Sequence, residues 1–245
     1  MSAAGASAAP ALVGFDTATA DTAVAAVRDG ELVHEALLGP SAKGGPQHTT
    51  ALLEEIERAV GAAGGWEAVG GLAVGIGPGS FTGLRVGIAT AKALALSRGL
   101  PLSGVGTLDA LARGLGERGG GDRRVLAVLD ARRGEVAAAL YAADGASSWG
   151  PWLGAPEQLF EVVPDPARPA LCGGSGAVRF RQQLTSRSVE IPDDADPVHR
   201  VAARHICALA AARRGGDEST SIAPIYLRPP DAERWRERDS LQAAE

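Results

Sequence analysis

The most informative segment of the sequence is a glycine-rich run, Gly75-Ile76-Gly77-Pro78-Gly79-Ser80-Phe81-Thr82-Gly83-Leu84-Arg85. The apolar residues 71–76 lead into it, and small and apolar residues follow it as far as Arg98. This order predicts a buried strand, a tight turn and a long helix that begins near Gly83. Glycines permit the turn, and the hydroxyl of Ser80 or Thr82 can cap the helix.

The turn has two alternative roles, anion binding or a purely structural one. Backbone N–H groups at a helix N-terminus can bind an anion, so a phosphate-binding role is physically open. However, the run lacks the Gly-Lys-Ser/Thr ending of a P-loop, and its glycines do not match the spacing of a dinucleotide-binding loop. The other alternative is a purely structural turn, in which Arg85 faces solvent or bonds to nearby carbonyl groups.

A row of small residues recurs every fourth position after the turn: Gly83, Gly87, Ala91 and Ala95. Such a row lies on one face of a helix and lets a second element approach closely. Spacing defines this face but not its neighbour. The row therefore predicts either a contact within the fold or an interface with a partner subunit.

Upstream of the turn, apolar runs predict three antiparallel strands followed by a helix. The strands are expected at 12–15, 23–27 and 32–37, and Asp29-Gly30 between the last two is a hairpin signal. The helix is expected at 47–60, where apolar residues recur at helical spacing. This opening differs from the βαβ unit of a dinucleotide-binding fold.

Downstream of the turn, a second half again begins with paired strands. A helix is expected near Thr107, whose hydroxyl can cap it. The remaining expected elements are strands at 125–129, 136–141 and 170–172 and helices at 173–184 and 198–213.

These patterns predict two subdomains, an N-terminal one at 11–108 and a C-terminal one at 109–228. The helix at 198–213 can also pack back on the first subdomain. Residues 1–10 and 229–245 are predicted to be flexible tails, because they offer little apolar surface to bury.

Composition excludes several classes of protein. The chain has 245 residues and a net charge of -5, so it lacks the overall positive field that would hold nucleic acid unaided. Its two cysteines, Cys172 and Cys207, have no metal-type spacing, which fits a reducing compartment without disulfides or structural zinc. No run of about 18 apolar residues predicts a membrane span. We therefore expect a cytoplasmic protein.

Four stretches of the chain resemble the bacterial TsaB (YeaZ) family. The first is the glycine-rich run 77–87 together with residues 91–95 that follow it. The other three, in chain order, are Phe15-Asp16-Thr17-Ala18-Thr19, Asp130-Ala131-Arg132-Arg133-Gly134-Glu135-Val136 and Pro224-Ile225-Tyr226-Leu227-Arg228. The resemblance extends over 12–228 and is weakest between 149 and 197. It implies an α/β fold of the actin/Hsp70/sugar-kinase (ASKHA) type, with two related subdomains and mixed sheets flanked by helices.

The resemblance also implies a function. Members of this family serve the complex that transfers a threonylcarbamoyl group to adenosine 37 of tRNAs reading codons that start with A. They are non-catalytic scaffold subunits that bind the catalytic subunit TsaD, and the ATPase TsaE completes the complex. The chain is thus expected to be no enzyme by itself, to form a homodimer when alone and to reach tRNA through the complex. The resemblance implies no cofactor in the isolated chain, and it is compatible with a nucleotide at the junction with the catalytic subunit.

The catalytic relatives carry a His-x-x-x-His metal pair after the strand that follows the glycine-loop helix. Thr107 and Leu111 stand at the matching positions here, so the metal pair is missing from this sequence. The four histidines, His34, His48, His199 and His205, are dispersed. We expect them to be surface or partly buried polar groups, with His199 and His205 on different faces of one helix.

Two acidic residues, Asp16 and Asp130, end predicted strands where actin-like enzymes keep carboxylates for phosphate and metal. Each can equally be a turn residue that bonds to its own backbone. An actin-like ATPase or phosphotransferase that uses Asp16 and the loop 77–82 is therefore the alternative function. A protease is not supported, because no glycine follows the serine as a nucleophile elbow requires.

The candidate site residues fall into three groups. The first group is the small-residue row, which is the candidate partner interface. The second is the signature loop, which comprises Gly77, Pro78, Gly79, Ser80, Phe81, Thr82 and Arg85. The third consists of the further motif positions Asp16, Asp130 and Arg132.

Overall fold

The structure is a computed structural model that describes residues 9–42, 44–165, 170–185, 189–213 and 222–228. Residues 1–8 of the predicted N-terminal tail and the whole predicted C-terminal tail, 229–245, lie outside this part of the chain.

The first half is a mixed five-stranded sheet with two helices. Its elements are β1 (Ala11–Asp16), β2 (Thr22–Arg28), β3 (Glu31–Leu38), α1 (His48–Ala62), β4 (Val69–Gly75), α2 (Phe81–Arg98) and β5 (Leu102–Val105). The strand order is β3-β2-β1-β4-β5, with β1, β2 and β3 antiparallel and β1, β4 and β5 parallel. The predicted hairpin is confirmed, because Asp29 and Gly30 have left-handed φ values of 51° and 82°.

The second half repeats this arrangement. Its elements are α3 (Thr107–Arg118), β6 (Arg124–Asp130), β7 (Val136–Tyr141), β8 (Ser147–Gly154), α4 (Leu159–Val162), β9 (Ala170–Gly173), α5 (Ser175–Arg179), α6 (Arg181–Leu184), β10 (Val189–Glu190) and α7 (Ala203–Arg213). The order β8-β7-β6-β9-β10 matches that of the first sheet, with the first three strands antiparallel and the last three parallel. Two copies of this sheet confirm the predicted ASKHA-type fold.

The second half contains a strand that the sequence does not predict, and two of its predicted helices differ from the structure. The unpredicted strand is β8, where Pro151 and residues that are all exposed or half-exposed hide the alternation of a strand. The helix expected at 173–184 is interrupted at Phe180, whose φ and ψ are -111° and 28°. The helix expected at 198–213 begins only at Ala203, because Arg200 is extended after a short 3-10 turn, Pro197–His199.

Two helices lie between the halves and join their cores. α3 contacts β6 and β9 of the second sheet, while α7 contacts β1 and β2 of the first. Their apolar side chains form one buried cluster with residues of both sheets, among them Leu111, Ile206, Leu12 and Leu129. Separate clusters fill the outer faces, one beneath α1 and α2 and one beneath α4, α5 and α6. This layering leaves the strand ends of the two halves facing each other.

Within the described residues, the helices are all too short or too polar to cross a membrane.

Candidate functional site

The glycine-rich turn is packed directly against the turn that follows β1. The Ser80 N–H donates to the Ala18 carbonyl at 2.7 Å, and a Cβ at Gly79 would lie 2.3 Å from that carbonyl oxygen. Only glycine permits so close an approach of two backbones. Ser80 Oγ accepts from Gly83 N at 3.3 Å, which confirms the predicted Ser80 cap, although α2 begins at Phe81 rather than near Gly83.

The small-residue row of α2 faces the interior of its own half. A Cβ at Gly83 would lie 2.0 Å from the Thr17 carbonyl oxygen, and one at Gly87 would lie 2.4 Å from Thr17 Oγ1. Ala91 and Ala95 are buried against the first sheet. The structure therefore realises the contact within the fold, and these four positions present no side chain to a second protein.

Asp16 ends β1 beneath the glycine-rich turn, where it is 1% exposed. Its Oδ1 accepts from Ala18 N at 2.8 Å, and its Oδ2 accepts from Thr107 Oγ1 at 2.8 Å. Burial raises the pKa of Asp16, and the two hydrogen bonds oppose that effect. Both carboxylate oxygens are thus occupied by the fold itself.

Thr107 bonds to the end of β1 and to the glycine-rich turn instead of capping α3. Its hydroxyl donates to Asp16 and accepts from Gly77 N at 3.2 Å, while Gly106 occupies the N-cap position of α3. The predicted Thr107 cap is wrong, because Thr107 is the first residue inside α3 and its hydroxyl oxygen accepts from Gly77 N rather than from an N–H of the first turn. Leu111, one turn later, is buried in the central cluster.

A cleft of about 900 Å³ opens between the two halves. The lining residues that carry polar, charged or aromatic groups are Thr19, Ser80, Phe81, Thr82, Arg85, Asp130, Arg132, Arg133, Ser175, Tyr226 and Arg228. Of the candidate site residues, Pro78 and Gly79 also line it, whereas Gly77 and Asp16 lie outside its lining. The tertiary structure therefore brings most of the signature loop together with Asp130 and Arg132.

On the second half, the turn after β6 is held in a defined shape. Asp130 Oδ1 accepts from Arg132 N at 2.8 Å, and Ala131 N donates to the Glu135 carbonyl at 3.0 Å. Arg132 and Arg133 have left-handed φ values of 64° and 57°. Both arginines are exposed and line the cleft, so the turn directs two adjacent cations to its edge.

The carboxylate of Asp130 is paired at the cleft wall. Its Oδ2 accepts from Arg179 Nη1 at 2.7 Å, and its backbone N–H donates to Ser175 Oγ at 3.1 Å. Asp130 is therefore already neutralised by a neighbouring cation on its own half.

The C-terminal segment 222–228 contacts both halves across the cleft. Ile225 N donates to the Ile76 carbonyl at 2.7 Å, and Arg228 forms an ion pair with Glu135. The Tyr226 and Phe81 rings lie 5.2 Å apart.

The guanidinium of Arg85 stacks on the other aromatic group of this wall. Its carbon lies 3.9 Å from the centre of the Phe81 ring. Arg85 is exposed, so the predicted solvent-facing position is confirmed, with a ring rather than a carbonyl as its neighbour.

The histidines lie apart from this cleft. His34 is half-buried as predicted, but His48, His199 and His205 are buried, which the sequence does not indicate. His48 bonds to Thr22 and Thr19, and the ring of His199 accepts from Gly174 N and lies within hydrogen-bond distance of the Pro192 and Asp193 carbonyls. Since His199 precedes α7, the prediction that it shares a helix with His205 is wrong.

Burial also sets the protonation of His205, whose pKa falls to about 4. Nearby Arg204 and Arg113 act in the same direction. Across the described residues, no three side chains of His, Cys, Asp or Glu come together in a way that could hold a metal ion.

Three cleft residues, Arg133, Tyr226 and Arg228, are not among the sequence candidates. Each lies inside a stretch that carries the family resemblance, which was the available signal. Their importance depends on the distant chain segments that meet them, and local sequence does not contain that information.

Comparisons with known proteins agree with this architecture. The family model described as TsaD, tRNA N6-adenosine threonylcarbamoyltransferase, matches residues 42–171. The tRNA threonylcarbamoyladenosine biosynthesis protein TsaB of Escherichia coli is 39% identical over 56% of this chain and 58% of its own length. TsaB of Haemophilus influenzae is 36% identical over 51% of each chain. The alignments thus span less than two thirds of these curated relatives.

A solved structure extends the comparison over most of the chain. YeaZ from Pseudomonas aeruginosa is 26% identical and superposes with a TM-score of 0.72, covering 89% of this chain and 100% of that protein.

Proposed function

This chain belongs to the TsaB (YeaZ) family, within the family that the TsaD model describes, and we propose that it is a non-catalytic subunit for threonylcarbamoyladenosine formation in tRNA. In this proposal it binds a TsaD-type catalytic subunit in the cytoplasm, and a TsaE-type ATPase joins the larger complex. The modified base is adenosine 37 of tRNAs that read codons starting with A. When no partner is present, the chain forms a homodimer.

The observation that carries the non-catalytic role is the state of Asp16, Thr107 and Leu111. The positions of the missing histidine pair hold Thr107, whose hydroxyl is engaged by Asp16 and Gly77, and Leu111, which is part of the core. Neither position offers the imidazole ligand that the histidine pair of the catalytic relatives supplies. The chemistry therefore belongs to the partner.

The outer faces of α1 and α2 supply a surface for that partner. Leu96 on α2 is 87% exposed, and Leu53 on α1 is 59% exposed. Ala89, Lys92 and Ala93 are also exposed on α2. We propose that these exposed side chains contribute to the interface, and the inward-facing small-residue row sets how closely α2 lies on its sheet.

Mixing the chain with its TsaD-type counterpart tests this proposal. Light scattering after gel filtration should give a complex, and Leu96→Glu should weaken it by at least about tenfold, the effect of losing a well-buried contact. Leu32→Glu is the matched control, since Leu32 is also an exposed leucine but lies on β3. A complex that is insensitive to Leu96→Glu would remove α2 from the interface, and the absence of any complex would contradict the function.

Activity gives a second test. The isolated chain should not form threonylcarbamoyladenosine in tRNA, whereas addition of the chain should stimulate its counterpart. Modification by the isolated chain would show that it is itself the enzyme.

The cleft is the observation that favours the alternative function, an ATPase or phosphotransferase. It is large enough for a small ligand and presents Ser80, Thr82 and Arg85. Asp16, however, does not line the cleft and has both oxygens engaged. Calorimetry with ATP and magnesium is the direct test, and micromolar binding that Asp16→Asn abolishes would favour this alternative.

A further inference from the structure

We propose that the cleft between the two halves is an RNA-contact site, with arginines for the phosphates and an aromatic pair for a base. The inference rests on the proposed function, because tRNA is the RNA concerned, and it adds a direct contact to a chain proposed to reach tRNA through its complex.

The charge around the cleft is opposite to the charge of the whole chain. The chain carries a net charge of -5, yet Arg85, Arg132, Arg133 and Arg228 all line the cleft. Among the described residues, Asp130 is paired with Arg179 and Glu135 with Arg228, so the excess positive charge that the inference uses is that of Arg85 and Arg132. A local excess of arginine on a negative protein attracts a polyanion to this place, since phosphate contacts dominate nucleic-acid affinity.

The arginines are presented by segments of fixed shape. Arg132 and Arg133 follow Asp130 in a turn closed by hydrogen bonds at both ends, with left-handed φ values that are uncommon outside glycine. Arg85 lies over the Phe81 ring, and Arg228 follows a segment bonded to Ile76. The cations are thus held in position before any ligand arrives.

The wall of the first half carries an aromatic surface beside these charges. Phe81 and Tyr226 are partly exposed, and their rings lie 5.2 Å apart at an interplanar angle of 35°. Arginine-rich grooves beside exposed aromatic rings are typical of single-stranded nucleic-acid sites, where bases stack and the backbone meets cations.

The positions of the carboxylates distinguish RNA from a metal-bound nucleoside triphosphate. A nucleoside triphosphate site needs carboxylates that hold a metal ion at the phosphates. Asp16 is sealed beneath the turn, and Asp130 is paired with Arg179. Single-stranded RNA needs only cations and stacking surfaces.

Binding of an RNA anticodon stem-loop tests the site in the isolated full chain. A fluorescein-labelled stem-loop of a tRNA that reads a codon starting with A is titrated at low salt, and anisotropy is recorded. The double variant Arg85→Gln/Arg132→Gln should weaken binding by at least about tenfold and reduce the salt slope of the affinity by about 2, one for each lost phosphate contact.

The matched control removes the same charge elsewhere. Arg113→Gln/Arg118→Gln takes two exposed arginines from α3, both in surface ion pairs with acidic groups. It should leave RNA affinity close to that of the unaltered chain. Equal loss in both double variants would mean that only net charge matters and would overturn the proposed site.

Stacking is tested by Tyr226→Ala, with Tyr226→Phe as the conservative variant. The alanine variant should lose between about 5-fold and 100-fold in affinity, while phenylalanine restores it. Failure of the unaltered chain to bind RNA, or competition by ATP that displaces the stem-loop completely, would overturn the proposal.

These outcomes separate the inference from the proposed function. If the arginine and tyrosine variants still form the complex with the TsaD-type counterpart but bind RNA unchanged, the RNA site is wrong and the scaffold role stands. If no complex forms with the unaltered chain, the proposed function itself fails.

Discussion

The corner after β1 and the corner after β6 share their local geometry but differ in their surroundings. Each ends a buried strand with an aspartate, Asp16 or Asp130, whose Oδ1 accepts from the N–H two residues later at 2.8 Å. At the first corner the second oxygen is bonded to Thr107 in the interior. At the second corner it pairs with Arg179 at the cleft wall.

The difference between the corners follows from what packs on them. The glycine-rich turn and α2 pack against the backbone of residues 17 and 18 and bury Asp16. Gly174 and Gly176 approach Val128 and Leu129 just as closely at the second corner, but Asp130 stays half-buried and the following turn lines the cleft. The same motif therefore stabilises the fold in one half and presents charge in the other.

The largest difference between the corners is expected in the free energy of unfolding when a glycine at each corner is replaced by alanine. Gly83→Ala places a Cβ 2.0 Å from the Thr17 carbonyl oxygen, and we expect a loss of about 3 kcal/mol or more in the free energy of unfolding. Gly134→Ala meets no atom and should cost only about 1 to 2 kcal/mol, for the alanine in left-handed backbone. Urea denaturation measures both, and equal losses would contradict the different packing of the corners.

Removal of the two carboxylates should give the next largest difference. Asp16→Ala leaves the buried Thr107 hydroxyl and Ala18 N–H without their acceptor, which should cost about 2 to 3 kcal/mol. Asp130→Ala loses a turn hydrogen bond and a partly exposed ion pair, and should cost at most about 1 kcal/mol. Urea denaturation measures both losses. A larger loss for Asp130→Ala would mean that Asp130, and not Asp16, is the aspartate that stabilises the fold.

The pH dependence of stability should show the burial of Asp16. Its pKa is raised above 3.8 by burial, so in the folded state it keeps a proton that the unfolded chain releases. The stability that this proton contributes is fully present below pH 3.8 and declines as pH rises from there through the folded pKa. Asp16→Asn should remove this decline, which unfolding midpoints at several pH values would reveal. A wild-type stability that rises relative to the variant across this window would show the opposite shift.

The smallest effect should come from the ion pair at the second corner. Arg179 is largely exposed, so Arg179→Gln should change the free energy of unfolding by less than about 0.5 kcal/mol, because solvent screens such pairs. The matching substitution at the first corner is Thr107→Val, which removes the interior partner of Asp16. It should lower the free energy of unfolding by more than Arg179→Gln does. Comparison of their melting temperatures tests this order.

Much of the fold follows from the sequence. Hydrophobic alternation, the Asp29-Gly30 hairpin and the Ser80 cap each depend on neighbouring residues, and each is present in the structure. Two strands, β8 and the two-residue β10, are not predicted, because the proline and poorly buried residues of β8 give no alternating pattern and β10 is too short to show one.

The candidate site follows from the sequence only in part. The signature loop and the Asp130 turn are visible as motifs, yet their meeting in one cleft depends on strands that are far apart in the chain. The buried state of three histidines is likewise unpredictable, since burial depends on which elements cover a side chain.

The sequence by itself determined the repeated strand pattern, the glycine-rich turn and the loss of the histidine pair, because these depend on residue type and short spacing. Three features depend on tertiary packing: the small-residue row faces inward, Asp16 is buried and bonded to Thr107, and the arginines meet across a cleft. The physical reason is that a periodic pattern defines a face of a helix or strand, whereas the neighbour of that face is set by the packing of elements distant in sequence.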